Sequence, residues 1–169
     1  DKGMDTGPVY LSREVLLEGS ERTSELLTRL GEMAAPDILE VISTIGKTRA
    51  TPQPLTGATF APKISKEMAR IIWSEPTEQI LRQDRALSDN PGIWCNFEGE
   101  RLSLFGLTEV LLPNTLAEPG QIEMVEGKLL VRTGDSVVEI MEVLPAGKKR
   151  MSGADFARGA RLTKGSKFE

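Results

Sequence analysis

The chain has 169 residues, with 21 Lys and Arg against 25 Asp and Glu, and this length predicts one full domain or one domain with part of another. It contains no His and a single Cys, Cys95, which excludes a Ser-His-Asp triad, a Cys-His pair, a His-based metal cluster and an internal disulfide. No apolar run is long enough to span a bilayer, so we expect no membrane partner. The lone cysteine fits a reducing compartment, and we expect a cytoplasmic protein.

The first 46 residues predict the end of an α/β unit. They open with a tight Gly-rich turn at residues 3–7, from which we expect that the chain begins within a larger domain. Residues 9–17 are predicted to be extended, and a helix with Thr23 as its N-cap follows. Pro36 is expected to kink or split this helix. A turn, a strand and a helix are too little for a separate core.

Residues 47–75 are predicted to link this unit to a second one. The first part of the segment is rich in Thr, Pro, Gln and Gly, a composition that is typical of linkers. Two short helices are predicted to follow it, at residues 63–73 and 76–87.

The remainder of the chain, residues 76–169, is predicted to be a small β-barrel domain. Because an isolated meander would leave long edges unpaired, short strands with Gly-bearing turns favour a closed or nearly closed barrel. Ser152 and Asp155 have the spacing of a capping box and predict a short helix that ends near Gly159. The five predicted strands are at residues 93–97, 101–105, 122–125, 129–132 and 137–144.

Asp5 is the first candidate for chemistry. It lies between Gly3 and Gly7, which let the backbone adopt positive φ and approach a ligand closely. A carboxylate held in such a turn can accept or relay a proton. The alternative is an Asp that only accepts hydrogen bonds from the amides of its own turn.

Positive charge is concentrated at the C-terminal end. Residues 146–169 carry a net charge of +5, which leaves −9 for the other 145 residues. Such an end would attract a polyanion, and with few aromatic residues nearby we expect contacts to phosphates rather than base stacking. The alternative is a solvated terminus without a partner. The basic residues are Lys148, Lys149, Arg150, Arg158, Arg161, Lys164 and Lys167.

A second group of cations lies at the edge of the linker. Lys63, Lys66 and Arg70 are spaced so that a helix would place all three on one face. Surface lysines are usually only solvated, so this group alone indicates little. Trp73 and Trp94 are interpreted as core residues rather than ligand platforms.

Four segments form a pattern when they are considered together. They are residues 3–9 (Gly-Met-Asp-Thr-Gly-Pro-Val), 59–67 (Thr-Phe-Ala-Pro-Lys-Ile-Ser-Lys-Glu), 144–151 (Leu-Pro-Ala-Gly-Lys-Lys-Arg-Met) and 155–159 (Asp-Phe-Ala-Arg-Gly). In this order and spacing they resemble the C-terminal half of the methionyl-tRNA formyltransferase family. They match its Gly-x-Asp-Thr-Gly turn, its Tyr-Ala-x-Lys-Ile-x-Lys-Glu linker and its Pro-x-Gly-Lys-Lys-x-Met and Asp-Phe-x-x-Gly signature.

The resemblance implies a fold for each part of the chain. Residues 1–46 would be the end of a doubly wound α/β formyltransferase domain, and residues 76–169 a small barrel resembling the oligonucleotide-binding fold. The family transfers a formyl group from 10-formyltetrahydrofolate to the amino group of methionyl initiator tRNA in translation initiation. The family's catalytic Asn and His and its folate-binding loop would lie upstream of residue 1, so we expect this portion alone to be inactive.

The resemblance also implies roles for particular residues. Asp5 would be the catalytic Asp, which holds the charge of the family's His and helps to remove the amine proton. The residues implied to position tRNA phosphates are Lys63, Lys66, Lys148, Lys149 and Arg150. No metal site and no folate contact is expected within this chain, and we expect a monomer.

Two other functions stay open on the sequence. Related formyltransferases share the Asp turn but use an amino-sugar nucleotide as the acceptor, although the basic end favours tRNA. A non-catalytic RNA-binding module would need the barrel and the basic end but not Asp5.

Overall fold

A computed structural model describes residues 1–87, 89–111, 118–163 and 165–169 of the protein. The chain divides into two units, Asp1–Lys63 and Ile64–Glu169. This division falls inside the segment 47–75 that the sequence assigns to a linker.

The first unit contains one long helix, α1, at Thr23–Thr44. Pro36 lies within it without splitting it, because one missing N–H removes a single hydrogen bond from 22 residues of helix. The N-cap is Arg22 rather than the predicted Thr23, and the Arg22 backbone N–H donates to the Glu25 carboxylate at 2.8 Å.

The extended strand predicted at residues 9–17 is not a strand in the structure. Only Val9 is paired, in an isolated antiparallel bridge to Thr51 with both N···O distances at 2.8 Å. Further along, the Arg13 side chain turns to the helix and donates to the Asp37 carboxylate at 2.8 Å. The apolar spacing was compatible with a strand, but no neighbouring strand is present in this unit to pair with it.

The second unit begins with a segment that the sequence predicts wrongly as a helix at residues 63–73. Only Glu67–Ala69 is helical, as a 3₁₀ turn. Beyond it the burial alternates, with Ala69, Ile71 and Trp73 buried, which is the period of extended backbone. The Ile71 N–H donates to the Trp94 carbonyl at 2.8 Å, so this segment runs along the first strand.

The predicted second helix and the predicted hairpins are confirmed. The helix is α2 at Thr77–Leu87, and a short helix, α3, follows the strands at Gly153–Ala160. The Asp155 N–H donates to the Ser152 hydroxyl at 3.0 Å, as the capping box requires. The strands are β1 Trp94–Phe97, β2 Glu100–Glu109, β3 Ile122–Val125, β4 Lys128–Arg132, β5 Val137–Pro145 and β6 Met151–Ser152.

These strands form one curled antiparallel sheet in the order β1-β2-β5-β4-β3, with β6 paired to β5. Its two edges are joined by the C-terminal residues. Glu169 exchanges two 2.9 Å backbone hydrogen bonds with Asn96 of β1, and the Phe168 N–H donates to the Gly120 carbonyl at 2.8 Å beside β3. A Cβ on Gly120 would lie 2.5 Å from the Phe168 carbonyl, so glycine is required for this approach.

The core of the second unit lies inside the curled sheet. Phe168 is only 1% exposed, and its ring lies 5.9 Å from Trp73, 5.6 Å from Phe97 and 6.2 Å from Phe156 between centroids. The end of the chain is therefore anchored in the core through Phe168, while its charged neighbours Lys167 and Glu169 stay exposed. Within the described ranges, no helix combines the length and the hydropathy needed to cross a membrane.

A polar contact fixes the start of α2. The Asp135 carboxylate accepts hydrogen bonds from the Thr77 backbone N–H at 2.8 Å and from the Thr77 hydroxyl at 2.7 Å. The same hydroxyl contacts that of Thr133 at 2.6 Å. The Thr77 backbone bond, followed by the hydroxyl bond, holds the pKa of Asp135 below its usual range.

We expect Phe168→Ala to reduce the free energy of unfolding by about 3–5 kcal/mol, because it removes a buried ring at the junction of the two sheet edges. Urea unfolding followed by far-UV circular dichroism measures this. Leu111→Ala is the control, since Leu111 is 91% exposed and its loss should change stability by less than about 0.5 kcal/mol. Equal effects of the two substitutions would contradict the closure of the sheet by the C-terminal residues.

We also expect Asp135 to make stability depend on acidic pH. A carboxylate with a lowered folded-state pKa stabilises the fold above its unfolded pKa of about 3.9, and this contribution is lost as pH falls through the folded-state pKa. Asp135→Asn keeps an acceptor oxygen but cannot titrate. Urea midpoints measured from about pH 6 to about pH 2.5 should therefore fall less for the variant than for the wild type. Parallel curves would rule out this role.

Candidate nucleic-acid interface

Asp5 lies in an exposed turn of the first unit. Its backbone has φ 57°, in the left-handed region, and the Gln53 amide donates to the carbonyls of Asp5 at 2.9 Å and Gly7 at 2.7 Å. Among the described residues, none donates a hydrogen bond to the Asp5 carboxylate. The turn is therefore held through its backbone, and the carboxylate is available to another group.

Lys63 and Lys66 do not share a helical face, since the helix predicted for them is absent. Lys63 ends the first unit and Lys66 precedes the 3₁₀ turn of the second, and both side chains are exposed. The Lys66 carbonyl accepts a hydrogen bond from the Trp94 indole N–H at 2.9 Å, which ties this backbone to β1.

The half-buried ring of Trp94 carries two guanidinium groups. The Arg101 carbon Cζ lies 4.6 Å from the ring centroid, and that of Arg70 lies 5.7 Å from it. Such cation–π contacts hold the charged groups in place while leaving their N–H edges outward. Trp94 is thus not a plain core residue, whereas Trp73 is buried as predicted.

Arg101 belongs to a row of outward side chains on β1, β2 and β5. Leu102 and Leu104 point into the core, so their neighbours Arg101, Ser103 and Phe105 lie on the opposite side of β2. We call this side the cationic outer face. It comprises Arg70, Trp94, Arg101, Ser103, Phe105, Lys148 and Arg150, with Glu142 of β5 beside Phe105.

The loop between β5 and β6 brings the predicted Lys148 and Arg150 to this face. The Ala146 N–H donates to the Arg101 carbonyl at 3.2 Å, which holds the loop against β2. Lys148 shares with Arg101 and Ser103 a groove of about 180 Å³. Lys149 is exposed in the same loop.

Arg150 lies on the ring of Phe105, with Cζ 3.9 Å from its centroid, and it forms an ion pair with Glu142. Both charged side chains of that pair are about half exposed, at 52% and 45%, so the attraction is weak and leaves Arg150 available. Aromatic rings on this face are thus covered by guanidinium groups.

Two other basic residues of the C-terminal end form ion pairs of their own. Arg158 pairs with Asp155 on α3, and Lys167 pairs with Glu118 at 3.2 Å. The Ser152 hydroxyl, and after it Arg158, lowers the pKa of Asp155. Lys164 lies outside the described residues. Tertiary structure therefore sorts the basic end, because Arg158 and Lys167 form ion pairs of their own while Lys148 and Arg150 lie at the cationic outer face.

Sequence reasoning missed Arg101 and Phe105 altogether. The signal was present, because alternate residues of a predicted hairpin strand share one side, and residues 101, 103 and 105 alternate with leucines.

The single cysteine and the acidic residues offer no further reactive or metal-binding site among the described residues. Cys95 is buried, and this burial raises the pKa of its thiol. Among the described residues no group of three or more Cys, Asp or Glu side chains could hold a metal ion.

A curled antiparallel sheet with a cationic outer face is a domain suited to a polyanion. Residues 63–161 match the family described as formyl transferase, C-terminal domain, and the chain belongs to this family.

The chain is similar over nearly its whole length to proteins named methionyl-tRNA formyltransferase. It is 41% identical to the one from Streptomyces griseus subsp. griseus, with 98% of this chain and 54% of the relative covered. It is 37% identical to the one from Bartonella quintana, with 96% and 53% covered. The chain thus spans about half the length of the curated relatives it matches.

Among solved structures, the chain resembles HypX from Aquifex aeolicus. One HypX variant gives a TM-score of 0.70 at 21% identity, with 93% of this chain and 29% of HypX covered. HypX in complex with tetrahydrofolic acid gives a TM-score of 0.69 at 21% identity, with 93% and 28% covered. At this identity the likeness shows a shared fold only.

Proposed function

We propose that the chain is the C-terminal portion of a methionyl-tRNA formyltransferase, which transfers a formyl group from 10-formyltetrahydrofolate to the amino group of methionyl initiator tRNA. The observation that carries the proposal is the cationic outer face on a domain of the formyl transferase C-terminal family. The full-length similarity to proteins of that name supports it. Because the chain has no His, this portion is inactive alone.

The first unit is proposed to be the end of a doubly wound α/β catalytic domain, assigned to residues 1–46. Helix α1 has no buried residue within the described ranges, and its apolar Leu27, Ile38 and Ile42 are 65%, 56% and 61% exposed. An apolar helix face of this kind requires a covering layer, which a larger sheet would provide.

The second unit is proposed to be the tRNA-binding domain, residues 76–169, with a likeness to the oligonucleotide-binding fold. The ring of backbone hydrogen bonds through Glu169 and Phe168 supports this likeness, since that fold is a small, nearly closed barrel. Residues 47–75 are proposed to join the two parts.

The cationic outer face is proposed to position tRNA phosphates. Arg70, Arg101 and Arg150 cover the rings of Trp94 and Phe105, so guanidinium groups rather than bare aromatic surfaces meet the ligand. Charge contacts of this type orient a nucleic acid without reading its sequence. Lys63, Lys66, Lys148 and Lys149 are proposed to add to this attraction.

Asp5 is proposed to be the one catalytic residue of this chain. The donor 10-formyltetrahydrofolate supplies the formyl group when bound. The exposed carboxylate of Asp5 fits the edge of such a site, because no described residue donates a hydrogen bond to its oxygens. Asp5 would hold the charge on the imidazole of an upstream His and help remove the proton from the attacking amine. Upstream donors would stabilise the developing oxyanion.

The protein is proposed to act in the cytoplasm, where initiator tRNA is charged and used. We also expect it to be a monomer.

A non-catalytic RNA-binding module is the second candidate, because the cationic outer face does not depend on Asp5. An amino-sugar nucleotide as acceptor is less suited to so extended a cationic surface.

Binding of initiator tRNA should weaken as salt rises. We expect the logarithm of the association constant to fall linearly with the logarithm of salt concentration, with a slope of about −0.7 to −0.9 per phosphate contacted. The double variant Lys148→Ala, Lys149→Ala should make the slope less negative by about 1–2 units. The double variant Lys2→Ala, Lys47→Ala, which removes the same charge from two exposed lysines of the first unit, is the matched control.

Fluorescence anisotropy with labelled tRNA measures these slopes. Absence of salt-dependent binding would contradict the proposal.

Asp5→Asn in the complete enzyme should lower turnover by about 10²–10⁴-fold, the usual contribution of acid–base catalysis. Asn tolerates the left-handed backbone, so the turn should be preserved, and tRNA affinity should not change. Formylation of methionyl-tRNA under single-turnover conditions measures the loss. Asp1→Asn serves as the control, and unchanged turnover in Asp5→Asn would exclude the catalytic role.

A further inference from the structure

A cleft of about 540 Å³ opens beside the cationic outer face. Its walls come from three elements of the second unit: the β1–β2 turn, the loop between β5 and β6, and α3. This volume is within the range of small-molecule sites, about 300–1,000 Å³. The two C-terminal sequence motifs, at residues 144–151 and 155–159, both contribute to its walls.

The floor of the cleft is apolar and rigid. Phe97 and Phe156 meet edge to face, with centroids 5.3 Å apart, and Phe156 is also packed on Phe168 in the core. Met151 lies beside them, a polarizable side chain that adapts to a planar ligand. Because the two rings are nearly perpendicular, a flat heterocycle in the cleft would meet the face of one ring and the edge of the other.

The rim of the cleft carries both positive and negative side chains. Arg101 and Lys148 provide cations, and neither forms an ion pair with another residue in the described part of the chain. Because Arg101 is stacked on Trp94, its N–H edges are presented in a fixed plane, which matches a phosphate. Glu98 and Glu100 provide carboxylates, which can only accept hydrogen bonds when ionised.

The α3 side of the cleft is open at Gly159. A Cβ built on this helical glycine meets nothing within 4 Å, so the missing side chain leaves space in the wall. No positive φ requires glycine at this position.

We propose that this cleft binds one unpaired nucleotide of the RNA, with its base on the Phe97 and Phe156 floor and its phosphate between Arg101 and Lys148. The proposal rests on the proposed binding of tRNA and adds a site for a single splayed base to the phosphate contacts of the outer face. Glu98 and Glu100 accept hydrogen bonds from exocyclic amino groups, so adenine, cytosine and guanine are preferred to uracil.

Two Gly→Phe substitutions test whether the cleft contributes to RNA binding independently of the charged surface. Gly159→Phe places a ring in the cleft and should weaken initiator-tRNA binding about tenfold, the effect of losing one stacked base. Its salt slope should equal that of the wild type, because no charge is removed. Gly31→Phe, at an open helical glycine of α1, should leave the affinity unchanged. Circular dichroism and thermal melting verify the fold of both variants.

Mononucleotides provide a readout that does not depend on tRNA. In NMR titrations of the full chain, 5′-AMP and 5′-CMP should shift amides around the cleft, among them Phe97, Lys148 and Gly159. The shifts should be smaller for 5′-UMP and absent in Gly159→Phe.

The outcomes distinguish the two proposals. If wild-type chain binds initiator tRNA with a salt slope but Gly159→Phe binds equally well, or nucleotides cause no shifts at the cleft, the cleft proposal is overturned and the tRNA surface stands. If the wild type does not bind tRNA at all, the proposed function fails, and nucleotide shifts at the cleft alone would then contradict its assignment to that tRNA.

Discussion

The surface of the second unit depends on how the last residues of the chain join the two edges of its sheet. Phe168 and Glu169 pair with backbone beside β3 and with β1, while the Phe168 ring fills the core. Without this closure Asn96 of β1 would lose its backbone partner, and Phe97 would lose one of its packing partners. The fixed position of β1 in turn sets the position of Trp94.

The closed sheet carries both the cationic outer face and the cleft, and the two surfaces are adjacent. Arg101 has a part in both, since its guanidinium lies on Trp94 and its residue lines the cleft. The loop carrying Lys148 is held against Arg101 by a backbone hydrogen bond. Charge and an apolar aromatic floor are thus presented together, the combination that suits a phosphate and a base of the same nucleotide.

Local patterns were sufficient for some elements and misleading for others. The hairpins at β1–β2 and β3–β4 combine period-2 apolar residues with Gly-bearing turns, so short-range sequence determines them. At residues 63–73 the basic residues have the spacing of a helix, whereas the buried residues Ala69, Ile71 and Trp73 have the spacing of a strand. The local sequence alone cannot decide between these two structures. Pairing of Ile71 with Trp94, 23 positions away, makes the choice.

The sequence by itself determined the hairpins, the capped helix α3, the uneven distribution of charge and, through the absence of His, the lack of an imidazole acid or base in this chain. Those properties depend on residue type and on neighbours within a few positions. Only the tertiary structure decided which cations remain available, since Arg158 and Lys167 are paired while Lys148 joins Arg101. It also placed Phe168, near the end of the chain, in the core, because sheet closure depends on contacts between distant residues that no local pattern encodes.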